Sequence, residues 1–437
     1  MKNNCGKTRE EIVTWRYRAF KRYLRLINDT LLFRRRYVVG SERLPKEGER
    51  FIIVCNHQNT ANDPLNIIFS LPQHWHVCAM ARANVFQVHP LVTRFLNWIG
   101  LTPAFRFGWE GGKGLEQNFE SFDKLAERVN SAFPTIVFPE AGHTQGHYLG
   151  NFTTGTVRMA FYAAKANGWQ EDIKIVPTAH HYSDFFDVQT EFLWMVGQPV
   201  SLQPYYEQFQ EHPNSVMRDI TQRLHESIQQ MMLDEGEDDY DVKDFIRRSA
   251  LNPATLQEMA LPERLQRDKA FMQQLRSSTS YNEILATAKE LKTAEERAGV
   301  DDITVEKRTG ILTVIAWTLL LIALLPLWMV SLWPHAVCYA LPPRLIRTDK
   351  MFTNSYRYVM SALLLYPLAA IITLATGIAA GWWWQTLIWL LLWIPLGRFC
   401  WWYYQKSRQL KRTCCRLMQP QRMREIERLR EIIIIKK

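Results

Sequence analysis

The sequence predicts an α/β fold, a mostly parallel sheet flanked by helices, followed by a helical C-terminal membrane domain. Three observations carry this. Short apolar runs alternate with helix-length stretches between residues 48 and 235, two long stretches hold no charge (Thr309–Pro343 and Tyr358–Gly397), and positive charge collects at both ends. The 437 residues carry a net +10. Residues 1–46 hold 13 Lys and Arg against 4 Asp and Glu, a net +9; residues 405–437 hold 11 against 3, a net +8; everything between is therefore −7. Basic ends beside apolar segments suit an anionic membrane surface rather than a nucleic-acid groove. An apolar share of 47% and a charged share of 22% exclude a disordered or collagen-like chain.

The first element, residues 1–36, reads as a basic amphipathic interfacial helix. Phe20, Tyr23, Leu24, Ile27 and Leu31 recur at helical spacing, with Arg18, Lys21, Arg22 and Arg25 roughly opposite. Such a helix lies in the headgroup layer with its apolar side down, or packs on its own domain with its charges solvated.

Residues 37–235 form the α/β domain. The runs Phe51–Cys55, His76–Met80, Thr135–Phe138 and Ile173–Pro177 read as buried strands, with Glu191–Val196 weaker, and Gly114–Ser131 and Thr156–Ala166 as helices between them. Strands alternating with helices imply a parallel sheet covered on both faces, with ligand sites at the carboxyl ends of the strands.

The acidic run from Asp234 to Asp244 lacks the spaced ligands and terminal Glu of a calcium loop. It opens a charged helical connector over 236–305. The membrane domain follows over 306–404. Tyr358–Gly397 is 40 residues without a charge, enough for two spans of about 20 residues, at about 357–377 and 382–403. The stretch 310–341 contains Pro326 and Pro334 and reads as a re-entrant hairpin or a kinked span. The hairpin is preferred, because it keeps the α/β domain, the basic segment from Arg344 to Arg357 and the basic tail 405–437 in the cytoplasm. The tryptophans at Trp382, Trp383, Trp384, Trp389, Trp393, Trp401 and Trp402 suit an interfacial belt.

Seven cysteines without a CxxC pair argue against a disulfide framework or a zinc ribbon. The N-terminal residues lack the apolar core of a cleaved signal peptide. The expectation is an integral membrane protein, in the cytoplasmic membrane if bacterial, with its α/β domain facing the cytoplasm. Neither His74 with His76 nor His180 with His181 has the HExxH spacing of a zinc helix, so no metal site is expected. There is also no G-x-S-x-G elbow of a serine esterase.

Chemistry concentrates after the first predicted strand, in Asn56-His57-Gln58-Asn59-Thr60-Ala61-Asn62-Asp63-Pro64. A His and an Asp beyond a strand's carboxyl end can act as general base and orienting carboxylate for a hydroxyl nucleophile. Six residues apart on a helix they would sit ~240° round from one another, so a turn has to bring them together. Asp63-Pro64 is also a helix start, with Asp as N-cap and Pro at the first helical position.

Further blocks follow in order: Pro103-Ala104-Phe105-Arg106, then Phe138-Pro139-Glu140-Ala141-Gly142-His143, then Ile175-Val176-Pro177. Over roughly residues 37–200 this series resembles the phospholipid/glycerol acyltransferase family, which includes the lysophosphatidate acyltransferases. That family shows an N-H-x4-D block, a block ending in Arg, an F-P-E-G block and a V-P block. Here five residues separate His57 from Asp63, which leaves Asn62 at the family spacing; Asp63 is preferred because an amide cannot stabilise an imidazolium as a carboxylate does. His143 stands near the place of the family's G-T-R arginine, which leaves Arg106 and Arg158 as cationic candidates for an acceptor phosphate.

The resemblance implies a membrane-bound O-acyltransferase of phospholipid biosynthesis. It would move a fatty acyl group from acyl-CoA or acyl-carrier protein to the hydroxyl of a glycerolipid such as glycerol 3-phosphate or lysophosphatidate, with no metal or other cofactor. It assigns His57 as general base and Asp63 as its partner. Asn56, Arg106, Glu140, Gly142, His143 and Arg158 are the substrate-binding candidates. The expected partners are the thioester donor, the lipid acceptor and the bilayer, with no nucleic acid. The alternative is a non-catalytic membrane scaffold or lipid-binding protein that keeps a degenerate acyltransferase fold.

Overall fold

The computed structural model describes all residues except 1–13, 83–85, 88, 105–122, 141, 145, 251–257, 308, 347–348 and 436–437. The chain parts into two compact units. One gathers the residues up to Leu26 with Arg36–Tyr182 and Phe192–Met232; the other gathers Ile27–Arg35, Ser183–Glu191 and the chain from Leu233 onward.

The sheet has eight strands, which apart from the first residues of β1 and β7 belong to the first unit: β1 (Phe33–Val39), β2 (Arg50–Cys55), β3 (Cys78–Arg82), β4 (Leu101–Ala104), β5 (Thr135–Val137), β6 (Ile173–Tyr182), β7 (Thr190–Val196) and β8 (Val200–Ser201). Their order is β1-β7-β6-β2-β5-β3-β4, with β8 beside β6. β2 runs parallel to both β5 and β6, β3 runs parallel to β4 and β5, and β7 and β8 are antiparallel to β6. The central strands β2, β5 and β6 are almost wholly buried, as strands covered on both faces must be.

Register explains the position of the site. Val54 pairs with Val137 and Cys55 with Thr178. The block that starts at Asn56 therefore leaves the sheet beside the block that starts at Phe138, with the last residues of β6 alongside. The expected strand at 76–80 lies at Cys78–Arg82, and the strand expected to end at Pro177 continues to Tyr182. Of the helix expected over Gly114–Ser131, residues 114–122 lie outside the described residues and 123–130 are helical.

Helix α1 (Trp15–Leu31) has the expected amphipathic character, but one expected charge is on the wrong side. Tyr17 packs on His76 and Trp98 with ring centroids 4.8 and 5.9 Å away, and Phe20 packs on Phe95 and Trp98 at 5.7 and 5.4 Å. Lys21, one turn on from Tyr17, is drawn inward with them and is 3% exposed, whereas Arg18, Arg22 and Arg25 face solvent. A Lys stem packs as hydrocarbon, and its ammonium finds Pro72 O at 2.9 Å and Trp75 O at 3.4 Å.

In the second unit, the long helix Ile311–Ala340 is helical through Pro326, and its non-helical residue is Trp333. The preferred hairpin turning near Pro326 is thus not what forms, and the stretch is a kinked helix. Its residues up to Trp333 alone extend about 33 Å, the thickness of a bilayer core. The kink falls where a residue preceding a proline is pushed out of the α region. Among the described residues two helices, Ile311–Leu345 and Lys350–Ala379, are long and apolar enough to cross a membrane. The segment expected to span 382–403 lies in one continuous helix, Trp383–Met418, and the basic tail ends in the helix Pro420–Ile435.

Candidate active site

His57 leaves the carboxyl end of β2 and Asp63 sits in the first turn of helix α2 (Asn62–Ser70). His57 Nδ1 and Asp63 Oδ2 are 2.7 Å apart. The turn between them absorbs the extra residue. Thr60 takes the left-handed conformation at φ +47°, and Asn62 and Asp63 donate their backbone N–H groups to Asn59 O and Thr60 O. A β-branched residue at positive φ is an outlier, held here by its surroundings. The helix-start reading of Asp63 fails, because Ala61 is the N-cap and the carboxylate turns back over the preceding loop.

Asp63 is fully buried, with both oxygens engaged. Oδ2 also accepts the backbone N–H groups of Gln58 and Asn59, each at 2.8 Å, and Oδ1 accepts the Tyr182 hydroxyl at 2.6 Å. Burial alone would raise its pKa. The His57 hydrogen bond, the charges of His180 and His57, and the Tyr182 hydroxyl outweigh that and hold it below the ordinary Asp value. Asp63 is therefore an ionised, acceptor-only partner, so the His57 Nδ1 facing it carries a proton and Nε2 is left as the basic nitrogen. The His57 side chain is 22% exposed, and its ring stacks on Phe138 at 4.2 Å.

The other expected residues take several places. Asn56 is fully buried and ties β2 to β6, with Oδ1 accepting the His180 N–H at 2.7 Å and Nδ2 donating to His180 O at 3.3 Å. It holds the floor of the site and is not open to a substrate. Glu140 accepts the His57 N–H at 2.7 Å and the Gly150 N–H at 2.9 Å, which makes it a strut behind His57. Burial lifts its carboxyl to about 7 against those hydrogen bonds. His143 approaches His57 edge-on with ring centroids 6.2 Å apart, and Gly142 is partly exposed beside it. Arg158 is on the exposed side of helix α3 (Gly155–Ala166), one turn from its start. Arg106 lies outside the described residues.

Two contributors were not foreseen. Tyr182 is on the β6 face shared by Thr178 and His180, and alternation along that strand would have shown it had the strand been read past Pro177. Gly150 is the other. A Cβ there would come 2.7 Å from Glu140 Oε2, a demand the sequence does not display. His180 is wholly buried behind Asp63, its Nδ1 3.5 Å from Oδ1, and burial drops its pKa to about 4.

Comparison with known proteins adds the following. Residues 35–181 match the family model described as Acyltransferase. Among solved structures, the 1-acyl-sn-glycerophosphate (LPA) acyltransferase PlsC from Thermotoga maritima is similar at 17% identity, over 50% of this chain and 83% of that chain, with a TM-score of 0.34. No curated protein matches.

Proposed function

We propose a reaction from the premise that this chain is an acyltransferase, carrying a domain of the acyltransferase family over residues 35–181. The chain moves a fatty acyl group from an acyl-CoA or acyl-carrier-protein thioester to the hydroxyl of a glycerolipid such as glycerol 3-phosphate or lysophosphatidate. The observation that carries this reading is the 2.7 Å contact between His57 Nδ1 and Asp63 Oδ2, with the His57 side chain partly exposed.

His57 Nε2 removes the acceptor's hydroxyl proton as the oxygen attacks the thioester carbonyl, a contribution of typically 10²- to 10⁴-fold. Asp63 holds the tautomer and stabilises the imidazolium. The tetrahedral oxyanion collapses, the C–S bond breaks, and the departing thiolate takes the proton back from His57. A thioester is already activated, so positioning and proton removal are what the protein has to supply. The degenerate-scaffold alternative rests on the altered third block, where His143 stands near the place of the family's arginine, and on the long His57-to-Asp63 spacing; the Thr60 turn accommodates the spacing.

The apolar helices Ile311–Leu345 and Lys350–Ala379 and the basic ends anchor the chain in a bilayer, with the acyltransferase domain on the cytoplasmic side, where water-soluble donor and lipid acceptor meet. The test uses the full chain in detergent or vesicles. Free thiol release is followed with acyl-CoA or acyl-carrier protein, with glycerol 3-phosphate or lysophosphatidate as acceptor, for wild type and His57→Ala. Acceptor-dependent release that disappears in His57→Ala is expected; equal turnover in the variant overturns the mechanism.

A further inference from the structure

The side of Asp63 turned away from His57 meets a chain of side chains that the reaction above leaves unused. Tyr182 on β6 donates to Asp63 Oδ1 at 2.6 Å. Asn66, three residues after Asp63 and on the same face of α2, donates Nδ2 to the Tyr182 oxygen at 3.2 Å. Arg36 on β1 reaches Asn66 Oδ1 with NH1 at 2.7 Å. Asn66, Tyr182 and Asp63 are each fully buried.

The direction of this chain is set at its far end. A guanidinium has donors only, so the Asn66 atom facing Arg36 has to be the carbonyl oxygen. That turns the Asn66 NH₂ toward Tyr182, whose oxygen then accepts and whose hydrogen points at Asp63. The guanidinium itself lies 5.7 Å from the ring centroids of Phe69 and Phe192. Burial beside Asp63 pushes the Tyr182 phenol well above 10, so it stays a donor throughout the working pH range. With donors on both oxygens, the Asp63 carboxylate has no freedom to rotate away from His57.

We propose that Arg36, Asn66 and Tyr182 form a one-way hydrogen-bond chain that positions Asp63 against His57. These are positioning residues, and the proposal rests on the reading of His57 and Asp63 as base and partner.

Asn66→Asp is the discriminating variant. It keeps the shape of the side chain and strengthens the pairing with Arg36, yet it accepts from Tyr182 and draws that hydrogen away from Asp63. The expected result is a kcat lower by about 10- to 100-fold, an acceptor KM within about threefold, and an acid limb of the kcat/KM profile moved to higher pH. The pH shift follows because a carboxylate with fewer donors, and an added charge nearby, favour protonated His57. Tyr182→Phe should do the same, Arg36→Met should do so in part, and Arg36→Lys, which still only donates, should restore kcat. Circular dichroism and melting in detergent report folding, and the Arg36 pair decides should a core variant fail to fold. Wild-type kcat in Asn66→Asp and Arg36→Met, or lower kcat with an unmoved acid limb, overturns the chain. With His57→Ala inactive in the same assay, that failure belongs to the chain alone; an active His57→Ala overturns the base assignment and the chain with it.

Discussion

Glu140 Oε1 holds the backbone N–H of His57 at 2.7 Å, so the His57 imidazole is positioned from its main chain as well as from its ring. The same carboxyl reaches across to Gly150, which ties the loop after β5 to the end of β2. Replacing Glu140 with Ala leaves two backbone donors unpaired and lets His57 drift by about 1 Å. Steady-state kinetics should show kcat falling on the order of 10²-fold, the cost of a misplacement near 1 Å, with the acyl-donor KM nearly unchanged. An effect confined to KM would assign Glu140 to substrate binding instead.

Gly150→Ala tests the same strut from the other end. The new Cβ would sit 2.7 Å from Glu140 Oε2, and that oxygen cannot yield without losing its hydrogen bond. A loss of stability of about 1–3 kcal/mol is expected from the overpacking, together with a fall in kcat. Gly142→Ala is the control, because its Cβ would find only Glu140 O at 3.9 Å. Melting curves and initial rates of the two variants should separate clearly.

Asp63→Asn and Asn62→Ala settle which neighbour serves His57. An amide at 63 cannot accept from His57, Gln58 and Asn59 while also meeting Tyr182, and it leaves His57 free to take the wrong tautomer. A kcat loss on the order of 10²- to 10⁴-fold is expected. Asn62 makes a side-chain bond to Asn59 Oδ1 at 3.2 Å, so its Ala variant should lose about 1 kcal/mol of stability and keep its turnover.

The sheet and the His57–Asp63 pair were legible because their signals are local. Apolar runs mark β2, β5 and β6, and a His, a turn and an Asp follow one strand end. What escaped reading depends on contacts across the sheet. Tyr182 matters through a partner 119 residues away, and Gly150 through the reach of Glu140. Lys21 looked solvated because helical spacing places it beside Arg22 and Arg25, while its stem packs inward with Tyr17. The kink of the first apolar helix went to Trp333 and not Pro326, because two prolines in one helix do not say which will bend it.

In the second unit, Gly377 and Thr386 belong to consecutive apolar helices in close contact. A Cβ at Gly377 would fall on the Thr386 hydroxyl and 2.9 Å from its Cβ. Small residues at such crossings let helix backbones approach in a membrane. Gly377→Ala should lower the melting temperature in detergent, corresponding to about 1–3 kcal/mol, and Gly377→Ala with Thr386→Gly should recover most of it. A single variant as stable as wild type would show that the helices do not pack this closely.

Lys21 gives the pH dependence that can be worked out with its sign. Burial, aided by the nearby charge of Arg25, lowers its pKa from 10.5 to about 7. Between those values the unfolded chain binds more protons at this site than the folded one, so stability rises with pH across that window. Below pH 7 both states hold the proton, and the cost of the buried charge is full and constant. Lys21→Met carries no proton and removes the ammonium that donates to Pro72 O and Trp75 O. Thermal melts of both proteins from pH 6 to 10 in the same detergent should therefore diverge. Wild type should gain on the variant as pH rises above 7, and the gap should be flat below it. Parallel curves across the range would mean that Lys21 keeps its charge in solvent, and that α1 does not pack with this side chain inward.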